Sequence, residues 1–564
     1  MSVLGVLANK ALHLASYALS SRGKKVFELA SKQVEQTQLK IFNDLLQNID
    51  GSLSANNLGI NAQRDLAWFQ ENVPVSSYED WQELIENQQS GQEKVLSSFA
   101  CERYQPTSGS TSKIKWIPYN SPFLDELDRA IGPWVSDLYE NFPEIRQGKH
   151  YWSLSWVPSD LRNKMTSSIN DDLQLLPWWK RLFMAGSMAV PEAISLAQTS
   201  EESSFATACY LTACSDLSFI SVWSPTFALS LLQLIKEHQT SIAAVLESGE
   251  WPSAYPGLNH LKAPKNTLAS DFLRSWDGEV NAEFTQKLWP QLGLISAWDT
   301  SSSKIWAGKL KELFAHCQFQ GKGLWATEGV ISIPYKGKYP IAITSHFYEF
   351  EDLDTGKIHT SWQLKKGQNV RPIISTANGL LRYAMNDQLK VNAFINECPC
   401  LEFIGRLNGI DMVGEKLSPE IAIDIINEFS LSGKVAPISL LAIPSGNGTS
   451  KPMYALLCDH NYQANDRSAH KDELSQQLEN RLCQSFHYKL ARELGQLGEA
   501  KVLLADDAMA IYTSHKISRG MVAGNIKIEP LVLWEDQSNS LNTLLTAESI
   551  TENTALDHQK LEVV

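Results

Sequence analysis

Residues Leu217–Glu237 read LSFISVWSPTFALSLLQLIKE. The first seven, Leu217 to Trp223, are β-rich, and Pro225 to Glu237 has the apolar spacing of a helix. A strand that hands over to a helix is the repeating unit of an α/β architecture. The alternation continues downstream, where Pro340 to Thr344, Val370 to Ser375 and Asp387 to Val391 read as strands. The predicted fold class is therefore α/β.

Toward the N-terminus the pattern is helical. Ala11 to Leu19 reads as an amphipathic helix and Val34 to Leu46 has helical apolar spacing. Ser77-Tyr-Glu-Asp80 resembles a capping box with Asp in place of Glu, Trp81, Leu84 and Ile85 follow on one face, and Gly91 is a stop signal. A polar loop, Gln105 to Lys115, precedes the short strand Lys115-Trp-Ile-Pro-Tyr119. Ser121-Pro122 then reads as an N-cap with Pro at the first helical position. Asn386 lies at an expected tight turn, being one of the few non-Gly types that accept left-handed backbone.

A boundary is expected near Arg406 to Pro419. Beyond it, Pro419 to Phe429 and Asp472 to Leu494 read as helices, and Val435 to Ile443, Met453 to Cys458 and Ala500 to Leu504 as strands. This is an α+β domain of roughly 120 to 150 residues. The expected organisation is a large domain over 1–405 with mixed sheets and helices, a hinge over 406–418, a small mobile α+β domain over 419–535, and a polar, disordered tail over 536–564.

Composition narrows the function. Among 564 residues the formal net charge is −14, which leaves no global field to attract nucleic acid or an anionic membrane. The eight Cys residues show no CxxC pair and no zinc spacing, as expected of free thiols in a reducing compartment. No signal peptide and no stretch long enough to span a bilayer is evident, so a cytoplasmic enzyme is expected. Seventeen Trp residues allow an apolar pocket beside ordinary core packing.

Five segments carry candidate chemistry. In Thr107-Ser-Gly-Ser-Thr-Ser-Lys-Ile-Lys115, hydroxyls, one Gly and two lysines suit a polyphosphate, although a solvated Ser/Thr linker is an equal alternative and GxxxxGK[ST] is absent. In Trp325-Ala-Thr-Glu-Gly329, a hydroxyl and a carboxylate could serve a phosphate and Mg²⁺; a surface Glu is the bland alternative. In Gly379-Leu-Leu-Arg-Tyr-Ala-Met-Asn-Asp387, Asp387 precedes a strand, where its carboxylate could accept both hydroxyls of a ribose; an ordinary polar turn is as good an account. Phe403 to Lys416 at the boundary and Gly524-Asn-Ile-Lys527 near the end read singly as a Gly-rich linker and a surface lysine.

Together and in this order, the five segments resemble the adenylate-forming enzymes, specifically the acyl acid amido synthetases of the auxin-responsive Gretchen Hagen family, as a member of bacterial type. The resemblance runs from about Phe42 to Leu533. The hydroxyl loop resembles TSGTTGKPK, Trp325 to Gly329 the second core motif ending in Ser/Thr-Glu, and Leu381 to Asp387 the YRxGD motif. Phe347-Tyr-Glu-Phe350 and Thr376-Ala-Asn-Gly379 resemble the family's FEF and TTAAGLYRY stretches, and Val73 to Asp80 its N-terminal segment. Leu288-Trp-Pro-Gln-Leu292 is also similar to the family.

The resemblance implies an ATP-dependent ligase that adenylates a carboxylic acid and passes the acyl group to an amine, such as an amino acid. Thr107, Ser108, Gly109, Ser110, Thr111, Ser112, Lys113 and Lys115 would wrap the ATP phosphates. Thr327 would contact the α-phosphate or the acyl carboxylate, Glu328 would hold Mg²⁺, and Asp387 would bind ribose. Arg406 would contact the nucleotide from the hinge, Lys527 would swing in to the transferring phosphate, and Trp325 would lie near adenine. Trp178, Trp179, Phe183 and Trp223 are candidates by position for the acyl pocket, against core packing as the more ordinary fate of each.

This sequence departs from the family pattern at Ser112 and Ile114, where Gly and Pro are common, and at Ala384 and Asn386, which replace Arg and Gly of YRxGD. Two rival readings remain: transfer to a thiol, as in acyl-CoA or carrier thioester synthesis, and a non-catalytic binding protein of the same fold. The expected partners are a small carboxylic acid and an amine, with no nucleic acid or membrane, in a monomer or weak dimer.

Overall fold

The computed structural model describes residues 3–108, 114–153, 186–300, 304–407, 409–432, 434–445, 451–459, 467–505, 507–518 and 530–534. The chain falls into two units, the larger ending at Leu407 and the smaller running on beyond it.

The larger unit opens with helices Val3–Ala30 and Val34–Ile49. The second buries Val34, Ile41, Phe42, Leu45, Leu46 and Ile49, the one-face spacing of a 3.6-residue period. Strands β1 (Cys101–Ser108) and β2 (Ile114–Asn120) pair with each other, and helix Ser121–Asn141 follows. Four strands then form a parallel sheet in sequence order: β3 (Lys149–Trp152), β4 (Leu217–Ser221), β5 (Leu294–Ala297) and β6 (Gln318–Gly321). All five residues of β4 are buried, as expected of a parallel strand covered on both faces.

A short hairpin, β7 (Trp325–Ala326) with β8 (Gly329–Val330), leads into an antiparallel sheet. That sheet is built from β9 (Phe347–Asp352), β10 (Ile358–Thr360), β11 (Asn369–Ser375), β12 (Tyr383–Ala384), β13 (Asp387–Ile395) and β14 (Cys398–Arg406). Its order is β10-β9-β11-β13-β14, with β12 laid against β11. One core surrounds Phe42, Phe347, Tyr348 and Tyr335, and a second surrounds Phe205, Leu217 and Ile295.

The smaller unit is a four-stranded mixed sheet in the order β17-β16-β15-β18: β15 (Ala436–Ile443), β16 (Met453–Asp459), β17 (Lys501–Ala505) and β18 (Leu531–Leu533). Helices Pro419–Leu431 and Arg467–Leu482 pack on it around Leu440, Tyr454 and Leu478. The architecture is thus a mixed α/β fold, with a large N-terminal part and a smaller α+β part.

Several sequence expectations are corrected. Pro340 to Thr344 is not a strand: it makes isolated bridges, Ser332 with Ile341 and Pro340 with Cys400, and then turns, with Ser345 N–H donating to Ala342 O. Its apolar run reflects burial inside the first core, which periodicity cannot tell from a strand. The expected helix Asp472 to Leu494 is two, Arg467–Leu482 and Phe486–Glu493. The chain folds back because buried Glu479 takes bonds from Tyr488 Oη, Arg492 Nε and Ala500 N–H.

The expected caps are displaced by one residue. Asn120, not Ser121, accepts from Phe123 N–H; of the expected Ser77–Asp80 box the Asp80 half forms, accepting from Ser77 N–H, while Ser77 Oγ donates to the same carboxylate and the helix starts at Glu79. The expected tail over 536–564 lies outside the described residues.

Candidate active site

The turn of the β7–β8 hairpin consists of Thr327 and Glu328. Two buried phenols hold it: Tyr119 Oη donates to Thr327 O at 2.9 Å, and Tyr383 Oη donates to Glu328 Oε1 at 3.4 Å. Burial holds both phenols above the usual range, and for Tyr383 the Glu328 and Glu79 carboxylates add to it, so both remain donors. The hairpin base is fastened through His346. Val330 N–H donates to His346 Nε2 at 3.1 Å, which places the ring proton on Nδ1, 2.8 Å from Glu126 Oε2. Asn120 Nδ2, just before helix Ser121–Asn141, donates to Ala377 O at 2.9 Å, and Ala377 N–H donates to Glu126.

Tyr383 is aimed by the segment that carries it. Arg382 holds a left-handed backbone, φ 46°. Its buried guanidinium bonds both oxygens of Glu349 on β9 and the carbonyls of Gln70 and Val73. Ser76 binds the same segment by exchanging backbone bonds with Arg382 and Ala384. Three separated segments, Val73 to Asp80, Phe347 to Phe350 and Leu381 to Asp387, therefore meet at one place. At Gly379, with φ 98°, an added Cβ would fall 2.1 Å from Leu96 O, so only glycine fits. The left-handed turn expected at Asn386 is not there. Asn386 lacks positive φ and its side chain accepts from Arg371 Nη2 at 3.0 Å; the strained position is Arg382.

Asp387 is buried and opens β13 directly opposite Arg406, the last residue of β14. Lys115 is also buried. Its ammonium lies 3.4 Å from Glu79 Oε1 and 5.0 Å from the centre of the Tyr78 ring, and Tyr78 Oη accepts from Trp116 N–H. Lys115 helps hold the Glu79 carboxyl below its usual range. Glu79 and Glu328 both act on the Tyr78 and Tyr383 phenols, so Lys115 and Glu328 share one electrostatic neighbourhood. Thr107 and Ser108 end β1. Gly109, Ser110, Thr111, Ser112, Lys113, Lys527, Trp178, Trp179 and Phe183 lie outside the described residues.

Trp223 is not core-packed: it is 46% exposed and lines a cavity of about 230 Å³ with Trp325, Trp134 and Trp152. The rings of Trp223 and Trp134 stand edge-on to Trp325 at 6.2 and 6.1 Å. One residue in this cavity escaped the sequence reading. Lys322 follows β6 and is buried, with Nζ donating to Ser221 Oγ at 2.6 Å and lying 5.2 and 5.1 Å from the Trp134 and Trp223 rings. Burial lowers its pKa to about 7. Its one signal in the sequence is the Gly321-Lys322-Gly323 run just before the Thr-Glu motif.

Among the described residues, no group of three or more His, Cys, Asp or Glu side chains is placed to hold a metal ion. Glu328 stands as a single carboxylate bonded by one phenol. That donor set fits Mg²⁺, which commonly takes one or two carboxylates and completes its shell with water and phosphate oxygens.

Models of three domains of one family match the chain: the GH3 family N-terminal domain over residues 23–319, the central domain over 339–406 and the C-terminal domain over 432–536. The chain belongs to the GH3 family.

Among its relatives is the indole-3-acetic acid-amido synthetase GH3.15 of Arabidopsis thaliana, 23% identical over 62% of this chain and 64% of that protein. Jasmonoyl-L-amino acid synthetase JAR6 of Nicotiana attenuata is 22% identical over 68% of this chain and 71% of its own length. The 4-substituted benzoates-glutamate ligase GH3.12 of Arabidopsis thaliana is 22% identical over 61% of this chain and 64% of its own length. The chain thus spans slightly less than two thirds of the first and third. These relatives are plant proteins, so a bacterial type is not borne out. The solved structure of GH3.15 acyl acid amido synthetase with 2,4-DB superposes with a TM-score of 0.61 at 16% identity, covering 94% of this chain and 96% of that one, which establishes the shared fold.

Proposed function

We propose that this chain is an ATP-dependent ligase that activates a carboxylic acid as its acyl-adenylate and transfers the acyl group to an amine, such as an amino acid. The observation that carries this reading is the Thr327–Glu328 turn clamped by Tyr119 and Tyr383, in a chain of GH3 family descent.

A carboxylate is a poor acyl donor because its leaving group is poor. Attack of a carboxylate oxygen on the α-phosphorus of ATP expels pyrophosphate and leaves AMP as the new leaving group. Two anions must meet, so positive charge lowers the barrier. Thr107 to Lys115 and Lys527 supply it in this reading, Asp387 receives the ribose hydroxyls, and Arg406 contacts the nucleotide. Thr327 meets the α-phosphate or the acyl carboxylate. Glu328 would hold Mg²⁺, which neutralises phosphate charge when bound. A neutral amine then attacks the acyl carbon and AMP departs. Closure of the smaller unit about 406–418 would bring Lys527 in and exclude water.

No helix among the described residues is long and apolar enough to cross a membrane. The thiols are free, which supports a reducing, cytoplasmic setting. We take the chain to act as a monomer or weak dimer.

The test is ATP–pyrophosphate exchange across a panel of carboxylic acids, then mass spectrometry of products formed with pooled amino acids, CoA and hydroxylamine. Exchange followed by an amide supports the reading. A thioester with CoA moves the acceptor to a thiol, and no exchange with any acid removes the catalytic reading.

A further inference from the structure

Helix Val3–Ala30 crosses helix Ser121–Asn141 at Gly23 and Gly132, where an added Cβ on Gly23 would lie 3.2 Å from Gly132 Cα. Beside this tight crossing lies a cavity of about 620 Å³, within the usual range for a small-molecule site. Its walls are largely apolar. Leu19 and Val26 line it while 48% and 52% exposed, so the space opens to solvent beside them. A second, smaller cavity shares part of its wall. Ile131 and Val135, one helical turn apart, and Trp152 on β3 line both this space and the tryptophan chamber that holds Lys322. In that chamber, the Lys322 ammonium has one hydroxyl and two ring faces as partners among the described residues. Three residues beyond Lys322, Trp325 lines the chamber and starts the hairpin that carries Thr327 and Glu328.

A buried cation of this kind is stabilised by an anion more than by rings and one hydroxyl. A chamber of about 230 Å³ alone would suit a compact acid. The neighbouring apolar space, more than twice that size and open to solvent beside Leu19 and Val26, suits a chain. We propose that the two spaces form one acyl channel for a fatty acid: its carboxylate pairs with Lys322 beside the Thr327–Glu328 turn, and its hydrocarbon tail runs out past Ile131 and Val135 between the two helices. Lys322 is then a positioning residue for the acid. The proposal rests on the ligase reading for its chemistry but concerns binding, so the two are separable.

The test is isothermal titration calorimetry of the full chain with straight-chain acids from hexanoate to tetradecanoate, run beside the exchange assay with the same acids and with compact aromatic acids. Affinity is expected to rise roughly threefold to fourfold per added methylene until the channel is filled. Val26→Phe, at a half-exposed position, and Ser20→Phe narrow the outer space and are expected to erase the gain for the longest acids. Lys322→Met is expected to weaken dodecanoate about 10- to 100-fold, while dodecanol, which lacks the charge, changes little.

Affinity indifferent to chain length, or long-chain affinity unchanged in both narrowing variants, overturns the channel. Dodecanoate and dodecanol affected equally by Lys322→Met overturns the carboxylate contact. Chain-length-dependent binding without exchange for any acid leaves the channel standing and removes the ligase reading. Exchange with compact aromatic acids while long acids neither bind nor react does the reverse.

Discussion

The Arg382 guanidinium and the Glu349 carboxylate form a buried two-bond pair, Nε to Oε2 at 2.9 Å and Nη2 to Oε1 at 3.2 Å. Gln70 donates to the same carboxylate, and the remaining guanidinium nitrogen bonds two carbonyls, so little of either charge is left uncompensated. This pair ties β9 to the strained residue that precedes Tyr383. Removing one partner leaves a buried charge, so Arg382→Met is expected to cost about 3–5 kcal/mol of stability. Arg382→Lys should recover little, because an ammonium cannot span two oxygens and two carbonyls. Equilibrium denaturation checks this; a loss under about 1 kcal/mol for Arg382→Met would show that the pair is not structural.

Tyr383→Phe removes the hydroxyl that, among the described residues, bonds Glu328, and leaves the ring that fills the core. The fold should persist while the carboxylate loses its orientation. Outer partners of metal-binding groups are commonly worth 10- to 100-fold in affinity or activity. The expected result is a raised magnesium requirement for exchange, by about tenfold, with unchanged circular dichroism. Equal magnesium dependence in the two proteins would remove Glu328 from metal binding.

Asp387 opens β13 opposite Arg406, where a carboxylate could bind both ribose hydroxyls. Asp387→Asn is expected to raise the ATP KM about tenfold or more and to shrink the preference for ATP over 3′-deoxy-ATP. If the variant lost activity while keeping that preference, ribose recognition would have to lie elsewhere.

Lys322 yields a stability prediction independent of activity. Its folded pKa is lowered by burial, to about 7, against an ordinary 10.5. Between those values the unfolded chain binds one proton more than the folded chain, so this group's penalty is full below about pH 7 and is relieved as pH rises toward 10.5. Lys322→Met should therefore raise the melting temperature more at pH 6.5 than at pH 10. In the ligand-free protein no charged neighbour contributes to the shift, so an equal gain at both pH values would mean that the lysine is not buried as described.

Glu415 behaves with the opposite sign. It is buried in the smaller unit and accepts from Met412 N–H, Val413 N–H and Tyr454 Oη. Burial, with Asp411 nearby, raises its pKa to about 7. The folded state then binds the extra proton between about pH 4.5 and 7, and stability from this group falls as pH rises across that window. Glu415→Gln, which carries an amide at every pH, is expected to flatten that fall in a pH series of denaturation midpoints. A slope unchanged by the substitution would assign the acid dependence to other groups.

Much of this molecule was legible in one dimension because its signals are local. Strand β4 and its following helix announce themselves by residue type and spacing, and Val34–Ile49 by a single apolar face. The Thr327–Glu328 turn could be singled out because its chemistry lies in consecutive residues. What failed was decided by distant partners. Pro340 to Thr344 looked like a strand because burial selects the same apolar residues whether the backbone pairs or turns. The helix after Arg467 breaks because Glu479 must meet Ala500.

The sequence alone determined the α/β class, the order of the motifs and their family character, since each depends on residue identity and short spacing. Only the tertiary structure decided that Glu349, Arg382 and Val73 converge to aim Tyr383 at Glu328. It alone decided that Lys322 is buried against the Trp134 and Trp223 rings. The physical reason is desolvation: a charged residue reads as surface until other segments take its water away, and those segments lie tens to hundreds of positions apart in the chain.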